Sequence, residues 1–203
     1  MNIRKEYEMN LPNKLTVLRI CLVPIFMIVM IAPIPFLKDH DVITGLIAAG
    51  IFILTSLTDM LDGKIARKYN LITDFGKFMD PLADKFMVFG AMLSIIYRYE
   101  SIRSVFIWAA AIVMFRELAV TSIRLVVSGK EGLVVAASWL GKIKTVLQVV
   151  CIATILIEPA IPFAPFNEWH VLSYVTMIAM LVMTLWSGID YLKSYWKFID
   201  PTK

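Results

Sequence analysis

Four of the five acidic residues in the segment DMLDGKIARKYNLITDFGKFMDPLAD form two closely spaced pairs. Asp59 and Asp62 are three positions apart, Asp80 and Asp84 are four apart, and on helices the members of each pair share a face. Two antiparallel helices joined by the short turn between the pairs would bring four carboxylates together, where they repel and require cations. Oxygen ligands predict Mg²⁺, Mn²⁺ or Ca²⁺, and carboxylate-bridged ions are used in phosphoryl transfer. A purely structural role as helix caps is the alternative.

Small residues and one base accompany these acids at fixed positions. Gly63 and Ala66 continue the face of the first pair, Arg67 follows, and Gly76 lies one turn before the second pair. Small side chains leave room for a ligand to approach the backbone. The complete pattern is D-x2-D-G-x2-A-R-x8-G-x3-D-x3-D.

Apolar stretches dominate the remainder of the 203-residue chain, which is 59% hydrophobic. Stretches of about 20 apolar residues predict membrane-spanning helices, since a helix satisfies its own backbone hydrogen bonds in lipid. The sequence therefore predicts an all-α integral membrane protein with a single domain over residues 1–203 and a polar extension at 1–10. The six predicted spans are 15–37, 43–64, 79–98, 104–128, 137–158 and 169–192.

Basic residues are distributed unequally between the two sides of these spans. Of the 20 Lys and Arg residues, only Lys38, Arg98 and Arg103 fall on one side. The positive-inside bias predicts a multi-pass cell-membrane protein whose termini and aspartate segment are cytoplasmic. The net charge of +4 is attributed to contacts with anionic membrane lipids, so no nucleic-acid partner is expected.

The eight-position pattern resembles the signature of the CDP-alcohol phosphatidyltransferase family at every position, and the resemblance extends along all six spans. It implies a six-helix membrane fold with a polar cavity open to the cytoplasm, and a homodimer. PNKLTVLR is similar to the family's N-terminal interfacial amphipathic segment. The implied activity is transfer of a phosphatidyl group from CDP-diacylglycerol to an alcohol, with release of CMP.

The resemblance also implies roles for individual residues. Asp59, Asp62, Asp80 and Asp84 would be ligands of two Mg²⁺ or Mn²⁺ ions, and Asp84 would also be the catalytic base. The residues implied to bind CDP-diacylglycerol are Asn13, Lys14, Leu15, Thr16, Gly63, Ala66, Arg67, Thr73 and Gly76. For the four residues from 13 to 16, a plain helix start is the alternative.

A second group of polar residues lies in RELAVTSIR and GKIKT. Arg116 and Arg124 are eight positions apart and share a helix face, while Lys142 and Lys144 lie near the start of the fifth predicted span. Arginine suits bidentate phosphate recognition and lysine adds point charge, so these four residues predict an acceptor-phosphate pocket. We expect Glu117 to pair with Arg116 or a neighbouring base. Anchoring of helices at lipid headgroups is the alternative role for the four bases.

The acceptor follows from resemblance, because RELxVTSxR and GKxKT are most like family members that use glycerol 3-phosphate and form phosphatidylglycerol phosphate. Inositol phosphate, serine or a second lipid are alternative acceptors. A divalent-cation transporter and a non-catalytic membrane scaffold are alternatives of other classes. The glycine, alanine and arginine positions of the pattern disfavour a transporter, because ion conduction does not need them.

Overall fold

Helices account for the regular structure of the chain in the computed structural model, which describes residues 9–69, 71, 73–131, 138–163 and 166–199. Side chains at 61, 62, 64–68, 128–131, 167, 198 and 199 are outside the description. No strand occurs in these ranges. The chain divides into two compact units, Met1–Arg98 and Tyr99–Lys203. The predicted single domain stays a prediction, and most of the polar extension falls outside the described residues.

Unit 1 is organised around its first helix. Its helices are α1 Leu11–Ile31, α2 Pro35–Lys38, α3 Asp41–Lys68 and α4 Asp74–Arg98. α1 packs along both α3 and α4, which contact each other far less. Val23 and Phe26 of α1 are buried in this core with Phe52 of α3. A Cβ added at Gly90 of α4 would come within 2.8 Å of Val23 Cγ1, so this glycine allows α1 and α4 to approach closely.

Arg98 holds together the ends of the unit 1 helices. Its guanidinium donates to the backbone oxygens of Leu37 (2.6 Å) and Met30 (3.3 Å) and pairs with the Asp41 carboxylate at 2.6 Å. These contacts satisfy carbonyl groups near the end of α1 and in α2 that have no partner within their helices. Arg98 is one of the three bases predicted to lie on the side with few basic residues. It therefore links the end of α4 to the end of α1, to α2 and to the start of α3.

Unit 2 is organised around its last helix, α8. Its elements are α5 Glu100–Glu131, α6 Trp139–Ile157, a 3₁₀ turn Glu158–Ala160, α7 Phe166–Trp169 and α8 Val171–Ile199. Both α5 and α6 pack against α8. Glu158 is buried, and its carboxylate accepts hydrogen bonds from the N–H groups of Leu172 (2.7 Å) and Ser173 (2.8 Å). The first turn of α8 thus gains the anionic partner that a helix N-terminus favours.

Each of the six predicted spans overlaps a different long helix, namely α1, α3, α4, α5, α6 or α8. The first span, 15–37, was predicted too long, because α1 ends at Ile31 and Pro35 begins α2. Among the described residues, five helices are long and apolar enough to cross a bilayer, as expected for a multi-pass membrane protein. α4 is not one of them, because Asp74, Lys77, Asp80, Asp84 and Lys85 charge its first half. PNKLTVLR forms the start of α1 and continues without a break into the apolar part of that helix. The sixth crossing and the interfacial segment stay predictions.

Candidate functional site

Three polar side chains line one face of α1. Asn13, Thr16 and Arg19 are three positions apart, and all three are buried, Arg19 with 0% exposure. Buried polar groups are stable only when they have partners, and a buried guanidinium requires an anion. The partners of this face are residues of the aspartate segment on α3 and α4.

Thr16 and Arg19 each contact one predicted acid. Arg19 Nη1 lies 2.5 Å from Asp59 Oδ1, and Thr16 Oγ1 donates to Asp80 Oδ1 at 2.7 Å. The Asp59 side chain stays 41% exposed, and Asp80 is also exposed. Since Thr16 and Arg19 are one helical turn apart, α1 holds one acid from each predicted pair at neighbouring levels. We expected direct packing of α3 on α4 to do this; in the structure α1 makes the link.

The start of α4 brings together three residues predicted to bind the nucleotide. Thr73 accepts a hydrogen bond from Gly76 N–H (3.1 Å), as a helix cap does, and donates to Asn13 Oδ1 (3.0 Å). A Cβ added at Gly76 would lie 3.2 Å from Asn13 Oδ1 and 3.7 Å from Asp80 Oδ2. The absence of a side chain at Gly76 therefore keeps polar atoms of α1 and α4 close together.

Other predicted residues of unit 1 are placed less completely. Gly63, Asp84 and Leu15 are half-buried, and Lys14 is exposed. The side chains of Asp62, Ala66 and Arg67 lie outside the described residues.

The predicted metal ligands are carboxylates of α3 and α4. Within the described ranges, no three His, Cys, Asp or Glu side chains are grouped to hold a metal ion. One of the four predicted ligands, Asp62, is missing from that set. The available donors are carboxylate oxygens, which fit a hard divalent cation such as Mg²⁺. The metal ligands stay a prediction.

Glu117 is the meeting point of two cations in unit 2. Its Oε1 atom contacts Lys144 Nζ from α6, and Arg116 Nη1 lies 3.3 Å away. Arg116 also donates to Ser187 Oγ on α8 at 3.0 Å. Lys144 as a whole residue is only 4% exposed. The expected pairing of Glu117 with Arg116 or a neighbouring base is confirmed, and both bases take part.

The other two predicted acceptor residues have different surroundings. Arg124 and Lys142 are exposed, and Lys142 Nζ lies 5.9 Å from the ring centroid of Trp139, within cation–π range. The structure thus brings Arg116 and Lys144 together through Glu117 and leaves Arg124 and Lys142 on the exposed sides of their helices.

Two residues of these polar clusters were missed from the sequence. Arg19 was counted only as a basic residue, although it lies inside an apolar stretch three positions after Thr16, which was already expected to bind the donor. Ser187 was passed over, although the adjacent Ser187 and Gly188 are small residues in an apolar helix, where they allow close contact. Spacing could have identified the first, and composition the second.

Residues 9–186 match the family model described as CDP-alcohol phosphatidyltransferase, so the chain belongs to that family. The predicted family is confirmed.

Similarity to individual relatives is more specific than the match to the family. The chain is 39% identical to "CDP-diacylglycerol–glycerol-3-phosphate 3-phosphatidyltransferase" of Bacillus subtilis (strain 168), covering 95% of this chain and 98% of the relative. It is 34% identical to "Probable phosphatidylglycerophosphate synthase" of Mycobacterium tuberculosis (strain CDC 1551 / Oshkosh), covering 90% and 79%. A relative in Salmonella paratyphi A (strain ATCC 9150 / SARB42), which has the same name as the Bacillus protein, is 33% identical over 92% and 95%.

Proposed function

We propose that this chain transfers the phosphatidyl group of CDP-diacylglycerol to glycerol 3-phosphate, forming phosphatidylglycerol phosphate and CMP. The observation that carries this proposal is the 39% identity, over nearly both full lengths, to a relative named for that reaction. The family match over residues 9–186 and the eight filled motif positions agree with it. The protein would then act in phospholipid biosynthesis.

The aspartate cluster would hold two divalent ions, Mg²⁺ or Mn²⁺, through Asp59, Asp62, Asp80 and Asp84. When bound, such ions supply positive charge to the pyrophosphate of the donor. Arg19 and Thr16 support this proposal because they hold two of the four carboxylates in place. The exposed fraction of the Asp59 side chain leaves oxygen atoms accessible to a cation.

The donor nucleotide would bind along the start of α1 and α4. Thr73, Asn13 and Gly76, which are adjacent in the structure, would contact the CDP portion. The other residues assigned to this role are Lys14, Leu15, Thr16, Gly63, Ala66 and Arg67. Gly76 supports the assignment because a ligand can approach its backbone without meeting a side chain.

In the reaction, the acceptor hydroxyl oxygen attacks the phosphorus of the phosphatidyl group. The bond between that phosphorus and the CMP oxygen breaks, and CMP leaves with the bonding electrons. Asp84 takes the hydroxyl proton, a step that requires hydrogen-bond reach to the hydroxyl. Arg116, Arg124, Lys142 and Lys144 would bind the acceptor phosphate, with buried Arg116 and Lys144 contributing most.

The proposed topology has six crossings, with α4 as the sixth, both termini in the cytoplasm and a polar cavity open to that side. PNKLTVLR would lie in the interface of the cell membrane. Reporter fusions test this topology: the α3–α4 connection should be cytoplasmic, and the connection between α6 and α8 should lie outside. We also propose a homodimer, which cross-linking of the detergent-purified protein tests.

Turnover by the purified full-length chain tests the function. With CDP-diacylglycerol, glycerol 3-phosphate and Mg²⁺, we expect release of CMP together with phosphatidylglycerol phosphate. Inositol phosphate and serine, offered separately, should release far less CMP. The proposal would be contradicted if CMP release with glycerol 3-phosphate were no faster than release without an acceptor, or if another acceptor gave faster release.

A further inference from the structure

The Glu117 cluster is a set of charged groups buried within unit 2. Arg116, Glu117 and Lys144 have side-chain exposures of 12%, 13% and 5%. Removing charges from water is costly, and the cost is greater inside an apolar span, so such groups are retained with partners. Two cations and one anion leave one net positive charge, which a further anion can balance.

Arg116 is held from two directions. Glu117 Oε1 lies 3.3 Å from its Nη1, and Ser187 Oγ accepts from its Nη2 at 3.0 Å. A Cβ added at Gly188 would come within 3.3 Å of Arg116 Cγ, so the glycine provides the space in which the arginine lies against α8. The guanidinium therefore has a defined position before any ligand binds.

Further polar atoms near this cluster have unused hydrogen-bonding capacity. Arg116 Nε, Gln148 Nε2 and Thr184 Oγ1 are buried and have no hydrogen-bond partner among the described residues. Gln148 lies one turn from Lys144 on α6, and Thr184 lies one turn from Ser187 on α8. A buried polar atom without a partner costs about 1–3 kcal/mol, so such atoms favour a ligand with several acceptor oxygens. A phosphate monoester is a ligand of that kind.

We propose that Glu117 is a positioning residue of the acceptor site, an inference that rests on the proposed function. Its carboxylate fixes Lys144 and Arg116 at the places where they bind the acceptor phosphate. It also balances one of their two charges while no acceptor is bound. A phosphate monoester carries a charge of roughly −1.5 to −2 near neutral pH and can use the remaining positive charge and the unused donors. A neutral alcohol cannot balance that charge, and each hydroxyl oxygen offers fewer acceptor sites than a phosphate.

Kinetics of Glu117→Ala and Glu117→Gln in the detergent-purified full-length protein test this inference. We expect Glu117→Ala to raise the KM for glycerol 3-phosphate about tenfold, as loss of a charge-assisted contact implies, and to leave the KM for CDP-diacylglycerol unchanged. Glu117→Gln should raise the first KM only about threefold, because the amide oxygen still accepts from Lys144. Glu100→Gln, on the same helix but in an exposed pair with Arg103, is the matched control and should match wild type.

Competition by inorganic phosphate gives a second measurement that does not depend on Glu117→Ala folding. Phosphate should inhibit the wild type competitively against glycerol 3-phosphate, and Glu117→Gln should weaken that inhibition by the same factor as its KM change. Unchanged acceptor KM values in both variants, or equal rises for both substrates, would overturn the positioning role. If the wild type itself shows no turnover with glycerol 3-phosphate, the proposed function fails, which is a distinct result.

Discussion

The acidic site of unit 1 and the cationic site of unit 2 differ in which members of their ion pairs are buried. In unit 1 the supporting Arg19 is completely buried, while Asp59 is 41% exposed. In unit 2 two of the four bases expected to bind the ligand, Arg116 and Lys144, are largely buried, and Glu117 is largely buried with them. Carboxylates that receive cations need open oxygen atoms, whereas buried cations need an internal anion until a ligand replaces water. For the functions proposed above, this difference would suit unit 1 to cations arriving from solvent and unit 2 to an anion that loses its hydration.

The largest expected effect is that of Asp84→Asn, which removes the proposed base. We expect kcat to fall by about 10²–10⁴-fold, the contribution that general base catalysis makes. Asp74→Asn on the same helix is the matched control, because Asp74 is exposed and its ion pair among the described residues is the local one with Lys77. CMP release at saturating substrates measures both variants. Equal activities of the two variants would remove Asp84 from the chemistry.

Lys144→Ala and Lys142→Ala compare a buried and an exposed base on one helix. Lys144→Ala should raise the KM for glycerol 3-phosphate about 10–100-fold, because hydrogen bonds of buried charged groups contribute about 1.5–3 kcal/mol. Lys142→Ala should change that KM about threefold or less, because exposed charges are screened by solvent. Initial rates over a range of acceptor concentrations distinguish them. A larger effect at Lys142 would show that burial does not rank the acceptor contacts.

Asp59→Asn and Asp80→Asn sharpen the comparison within unit 1. Asp59→Asn removes one carboxylate that pairs with the fully buried Arg19, and we expect about 2 kcal/mol of destabilisation, below the range for fully buried pairs because the Asp59 side chain is 41% exposed. Asp80→Asn weakens one hydrogen bond from Thr16, a loss of about 1 kcal/mol or less. Unfolding in detergent–SDS mixtures with a chelator measures both free energies. Each variant removes one acid of the same predicted cluster. Equal losses of the free energy of unfolding would therefore show that the pair of Arg19 with Asp59 stabilises the fold no more than the hydrogen bond of Thr16 with Asp80.

Gly76→Ala should have the smallest of these effects. The added Cβ would come 3.2 Å from Asn13 Oδ1, so this group must shift by a few tenths of an ångström, while Thr73 Oγ1 at 3.4 Å would be in van der Waals contact. We expect the KM for CDP-diacylglycerol to rise about twofold, because a shift of a few tenths of an ångström is small beside the misplacement of about 1 Å that costs about 10²-fold. Gly50→Ala is the matched control, because its Cβ would meet no heavy atom of the described residues within 4 Å. A normal KM in Gly76→Ala would separate this glycine from donor binding.

Much of the fold was readable from the sequence, because long apolar stretches have few alternatives to helix in lipid. The placement of each acid pair within one helix was also predicted, since Asp59 and Asp62 lie in α3 and Asp80 and Asp84 lie in α4. The contacts of Thr16 with Asp80 and of Arg19 with Asp59 did not, because they join residues far apart in sequence whose meeting depends on α1 packing against both α3 and α4. Likewise, the small residues Ser187 and Gly188 indicate a close helix contact, but nothing near them in the sequence indicates that the partner is Arg116.

Glu158 sets the lengthwise alignment of α6 and α8. Its carboxylate follows the end of α6 and binds the first turn of α8 at Ser173. Lys144 precedes Glu158 by 14 residues, and Ser187 follows Ser173 by 14 residues, so both lie about 21 Å along their helices from the same fixed point. Inserting one residue in either stretch would turn one of these side chains by about 100° away from its present direction. Glu158 is remote from the bases proposed to bind phosphate, yet its contact with α8 determines how far along their helices Lys144 and Ser187 lie from that contact.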